Sequence, residues 1–72
     1  MNVETYWELI GDDLTKLVKG INASPLTTRN HYGRYIQIIS DLKPQTGLKT
    51  AVRLLIKAGA DKQGVTDASR IF

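Results

Sequence analysis

The sequence predicts an all-α domain, a small three- to four-helix bundle with a helix-turn-helix-like arrangement. Three observations lead there. Apolar residues recur at helical spacing in three successive stretches, and the breaks between them carry capping residues, glycine and proline. No run alternates polar and apolar residues as a half-buried strand does. A chain of 72 residues has room for one domain, residues 1–72, with one core. Its 42% hydrophobic and 24% charged residues make it too apolar for a disordered chain.

The first stretch places Val3, Trp7, Ile10, Leu14, Leu17 and Ile21 at 4-3-4-3-4 spacing, the stripe of an amphipathic helix. Asn2 reads as its N-cap, and Glu4 favours the positive helix end. Gly11 weakens the run and Asp12 is a good cap, so two short helices are expected to meet there. Gly20 fits a helix end, and Asn22-Ala23 a tight turn.

Ser24-Pro25 then starts another helix, Ser as cap and Pro at the first helical position. Thr28, Tyr32, Tyr35, Ile36, Ile39 and Leu42 form its inward face, and Arg29, Asn30, Gly33, Arg34 and Gln37 the outer one. Lys43-Pro44 is expected to end it, with residues 44–47 as a loop.

A further helix spans Leu48 to Ala58, with Leu48, Ala51, Val52 and Leu55 inward and Gly59 closing it. Leu54 and Ile56 fall off that stripe and are expected to face a second subunit. Residues 52–61 look like the end of an ankyrin repeat, but one partial repeat cannot bury its own faces, and a helix with a left-handed glycine cap fits better. Residues 61–72 are polar apart from Val65, Ile71 and Phe72. They read either as a final turn capped by Thr66, with Ile71 and Phe72 on the core, or as a loosely packed tail.

Composition narrows the function. A core of this size supplies only about 3–5 kcal/mol, and small folds usually add a staple. The chain has no cysteine for a disulfide, and His31 is its one soft metal ligand, so neither a metal nor a cofactor is expected. The remaining staple is another subunit, hence an expected homodimer. No stretch approaches the ~20 apolar residues of a membrane span, and the N-terminus lacks a secretory signal, so a cytoplasmic protein without a membrane partner is expected. Met1 favours a complete protein over a domain cut from a longer one.

Catalysis finds little support. His31 counts as a surface contact residue rather than a base, and Asp12 and Asp13, being adjacent on a helix, point apart. Ser24 and the threonines lack a His-Asp pattern, and the glycines fit no phosphate loop. The chain is read as a non-enzyme with no small-molecule substrate.

Charge is polarised. Residues 1–13 carry Glu4, Glu8, Asp12 and Asp13 and no cation, a net of −4. Residues 14–72 carry ten Lys and Arg against three carboxylates, a net of +7, which suits a polyanionic partner.

One stretch points to which polyanion. Gly11 opens it, Leu17-Val18 and Ile21 follow, then Ser24-Pro25-Leu26-Thr27, Thr28, Arg29-Asn30-His31 and Tyr35. Without gaps this resembles the helix-turn-helix of the LuxR/GerE regulator family, and Thr50-Ala51-Val52-Arg53 through Gly59 looks like that family's last, often dimerising, helix. Val18 stands where the family has alanine, and Thr28 where it has valine. The resemblance implies a dimeric helix-turn-helix DNA-binding protein in transcription regulation. In that frame Arg29 and Arg34 suit guanine or phosphate, and Asn30 or Gln37 adenine, with His31 in the same set. Ser24 and Thr27 at the helix start would hold a phosphate. Lys49, Arg53 and Lys57, at i, i+4 and i+8, make a basic stripe for a second phosphate strand. Trp7, Tyr32 and Tyr35, on inward stripes, read as core.

The competing reading is a small phage- or plasmid-type protein that binds and inhibits or adapts another protein, which itself binds nucleic acid in one variant. Its contact surface would combine the acidic Glu4, Glu8, Asp12 and Asp13 with Leu54, Ile56, Ile71 and Phe72.

Overall fold

The computed structural model describes residues 2–24 and 28–72, with the backbone alone for 28–30. Four helices follow one another: α1 (Val3–Ala23), α2 (Thr28–Thr46), α3 (Leu48–Lys57) and α4 (Lys62–Ser69). The described residues contain no strand. α2 is the centre of the packing: α3 and α4 lie against it, α1 reaches the core mainly through α3, and α1 meets α2 over a short stretch only. The result is a slab 34 × 25 × 17 Å, two helix layers deep.

α1 starts where its cap predicts, the Asn2 carboxamide oxygen accepting the Thr5 N–H at 3.0 Å. It does not break at Gly11. The indole of Trp7 lies over that glycine, and a Cβ there would stand 2.9 Å from the ring atoms Cδ2 and Cε2. Gly11 is therefore glycine to seat a tryptophan one turn away, and its carbonyl additionally accepts the Thr15 hydroxyl at 2.7 Å. The Lys57 ammonium lies 5.3 Å from the centre of the same ring, which ties α3 to α1.

α2 also outruns its expected end, continuing through Pro44 to Thr46. Pro44 lies in the last turn, where its missing N–H leaves only the carbonyl of exposed Ser40 without its helical donor. The terminal carbonyls find partners: Leu42 from the Thr46 hydroxyl (3.2 Å), Lys43 from the Gly47 N–H (2.9 Å) and Gln45 from the Tyr6 hydroxyl (2.9 Å). Gly47, at φ 83°, makes the corner into α3.

The end of α3 follows the sequence closely. Gly59 takes φ 102°, the Ala60 N–H returns to the Leu55 carbonyl at 3.1 Å, and the Gly59 N–H to that of Ile56 at 3.0 Å. That pair of bonds is the Schellman closure, with Ala60 buried as its apolar contact. Leu54, expected to face a second subunit, is instead fully buried beside Ala51 and Leu55 in the core of its own chain, and Ile56 packs against the core edge. The buried arc of α3 is wider than a narrow a/d seam because three helices surround it.

Residues 61–72 are neither a tail nor capped by Thr66. Asp61 caps α4, its carboxylate accepting the Gly64 N–H at 2.8 Å, while Thr66 sits inside the helix with its hydroxyl on the Lys62 carbonyl. Gly64, Val65 and Ala68 are buried. Ile71 and Phe72 stay exposed, the Phe72 ring beneath the Lys43 ammonium at 5.3 Å.

Tyr35 joins α2 to α4. Its ring is 1% exposed, its hydroxyl accepts the Asp61 N–H at 3.2 Å, and its edge lies where a Cβ on Gly64 would be 3.0 Å away. Around it Leu14, Val18, Ile21, Ile39, Ala51, Leu54, Leu55, Val65 and Ala68 complete the core.

These packing details set the response to substitution. Tyr35→Phe is expected to cost about 1–2 kcal/mol by orphaning the Asp61 N–H, lowering the melting temperature by several degrees in a circular-dichroism melt. Gly20→Ala, in an open position inside α1, is expected to stabilise by about 0.5–1 kcal/mol. Gly11→Ala is expected to do the reverse despite the same gain in helix propensity, because its methyl displaces Trp7.

Candidate functional site

Three surfaces bear on function. The first is the outer side of α3. Lys49, Arg53 and Lys57 are all exposed, one turn apart at about 6 Å rise. Lys49 and Arg53 lie on the side of the helix turned away from Ala51 and Leu55, while Lys57, about 60° around the helix from buried Leu54, sits at the edge facing α1. Among the described residues the ion pair present is Arg70–Asp67, at 3.8 Å on the surface. The α3 cations therefore reach no described carboxylate within ion-pair distance, and Lys57 is steadied instead by the face of Trp7.

The second surface is the first half of α2. Thr27 and the turn before it lie outside the described residues, as do the side chains of Arg29 and Asn30. Ser24 closes α1 in an extended conformation, its N–H on the Ile21 carbonyl at 3.1 Å. His31 is half-buried and its Nε2 is shielded from solvent with no partner among the described residues, so it is withdrawn from the outer surface. Arg34 and Gln37 are exposed but line a groove beside α1.

That groove is the third surface, and the spacing of the sequence did not announce it. α1 and α2 splay apart, leaving two adjoining hollows of about 230 and 220 Å³ that share Leu17 and Ile38. Leu17, on the stripe expected to face the core, is 56% exposed. Arg34 and Gln37 border one hollow; Asp13, Asp41 and Gln45 border the other. The Gln37 amide donates to Asp41 at 3.2 Å. Leu17 sits at the edge of the α1 stripe, and Ile38, off the expected inward face of α2, is partly packed against the core.

Of the acidic residues read as a partner patch, Glu4, Glu8, Asp12 and Asp13 are all exposed along α1. The apolar half of that patch does not gather. Leu54 is core, Ile56 is partly covered, and Ile71 and Phe72 stand at the far end of the chain beside Lys43.

Among the described residues no group of three or more His, Cys, Asp or Glu comes together to hold a metal, and no helix is long and apolar enough to cross a membrane. Compared with known protein families, curated proteins and solved structures, the chain finds no match.

Proposed function

We propose that this chain is a small DNA-binding protein that holds the phosphate backbone along α3. The observation that carries the reading is the row of Lys49, Arg53 and Lys57: exposed, evenly spaced and unpaired with any described carboxylate. An acid at i, i+4 would pair such cations; α3 contains no acid at all. Three cations at this spacing bring charge to a phosphate strand at little rearrangement cost, since the helix fixes their roots and Trp7 steadies Lys57. Such contacts position a protein on a duplex without reading sequence.

Sequence reading, where it occurs, would fall to Arg29 and Asn30 at the start of α2, in keeping with the LuxR/GerE-like pattern there, while His31 is withdrawn from the outer surface. Two features of the fold limit the likeness: α1 runs unbroken through Gly11, and Arg34 and Gln37 belong to the groove wall. The backbone grip is accordingly the part of the reading with the most support.

Fluorescence anisotropy of a labelled random duplex, titrated at several salt concentrations, tests it. The expected slope of log K against log salt is about −2.7 per protomer for three neutralised phosphates. Replacing Lys49, Arg53 and Lys57 with alanine is expected to flatten it by about 0.9 for each cation removed. Absence of binding at low salt, or a slope unchanged in the triple variant, would sink the proposal and leave protein binding as the alternative.

A further inference from the structure

We infer that the groove between α1 and α2 is a self-association face, closed by a second copy of this chain about a two-fold axis near Ile38. This goes beyond the DNA-binding reading and does not rest on it. Charge is distributed unevenly along the groove, whose other lining is apolar apart from Gln37 and Gln45. Arg34 stands at one end, Asp13 and Asp41 at the other, with Leu17 and Ile38 between them. A two-fold interface uses the same patch on both partners, so the patch must be complementary to itself when reversed. This groove is. Laying α2 antiparallel on its counterpart about Ile38 carries each Arg34 to the acidic end of the other chain, and Leu17 onto the apolar middle.

Within one chain these charges do not satisfy each other. Arg34 and Asp41 share a face of α2 but are two turns apart, about 10 Å along the axis, beyond ion-pair reach. Asp13 and Asp41 face one hollow without a cation among the described residues, and Gln37 already orients the Asp41 carboxylate. A cation arriving from outside completes that end. A lone partner helix would meet the charges equally well only by carrying the same reversed pattern, which a second copy supplies by construction.

A standard interface takes about 800 Å² from each partner, so the contact must extend beyond the two hollows onto the exposed faces of both helices. The two longest helices, 21 and 19 residues, form the walls. Leu17 is the large exposed apolar residue on the α1 wall, and covering it with Ile38 gives the association its hydrophobic term.

Sedimentation equilibrium on the full chain, from micromolar to sub-millimolar concentration, is expected to give a dimer. Leu17→Asp, at an exposed site, is expected to keep the helical circular dichroism and sediment as a monomer. Arg34→Asp is expected to weaken association at least tenfold. Adding Asp41→Arg to it is expected to recover part of that loss, Asp13 still facing the new carboxylate. A monomeric wild type, a dimer indifferent to Leu17→Asp, or a double variant no tighter than Arg34→Asp alone would overturn the inference. The DNA reading fails separately: the Leu17→Asp monomer keeps the α3 cations and their salt-dependent binding if that reading holds.

Discussion

The hydroxyl and ring of Tyr35 are what let four short helices share one core. The chain after Gly59 has no long apolar run of its own, and α4 is eight residues long, too short to persist in isolation. It is held because the Tyr35 hydroxyl receives the Asp61 N–H at the point where Asp61 caps the helix, and because Gly64 lets the ring lie against its backbone. Both contacts act on the first turn of α4, which is the costly turn to form. Val65 and Ala68 then follow into the core, and α2 gains the cover on one side that leaves its other side free to border the groove.

The all-α class, the start of α1 and the end of α3 are legible in the sequence because they rest on local chemistry: the Asn2 cap and the left-handed Gly59 each involve residues within one turn of each other. Ser24, expected to cap the next helix, instead closes α1, and Pro25 lies outside the described residues. Gly11 and Pro44 are helix breakers by propensity, yet Gly11 is covered by Trp7 one turn away, and Pro44 lies in the last turn, where its missing N–H costs only the exposed Ser40 carbonyl a donor. Thr66 and Asp61 are both competent caps by type, and it is Tyr35, distant in sequence, that holds the Asp61 N–H and fixes the helix start there. Leu54 falls outside a narrow seam on the helical wheel, but α3 is surrounded and has no narrow seam.

The sites divide along the same line. The α3 stripe can be read from spacing alone, since an i, i+4, i+8 set on a short helix must share a face, and opposition to Ala51 and Leu55 follows from the same wheel. The groove cannot, because it depends on the angle at which α1 meets α2, and that is set by α3 lying between them. Arg34 and Gln37, which spacing places on the outer face of one helix, belong to a wall shared with α1.

Leu17 shows how the two levels connect. On the sequence it is as much a part of the α1 stripe as Leu14 or Ile21, and such a stripe ordinarily marks what a helix must hide. In the fold Leu14 and Ile21 are hidden and Leu17 is not. The stripe is thus wider than the core of one chain can cover, while the α2 stripe is widened in the same direction by Ile38. A slab 17 Å thick has no third layer to bring to them. The hydrophobic pattern that exceeds the core of the monomer, flanked by charges that complement their own reversal, is what the proposed association with a second copy rests on.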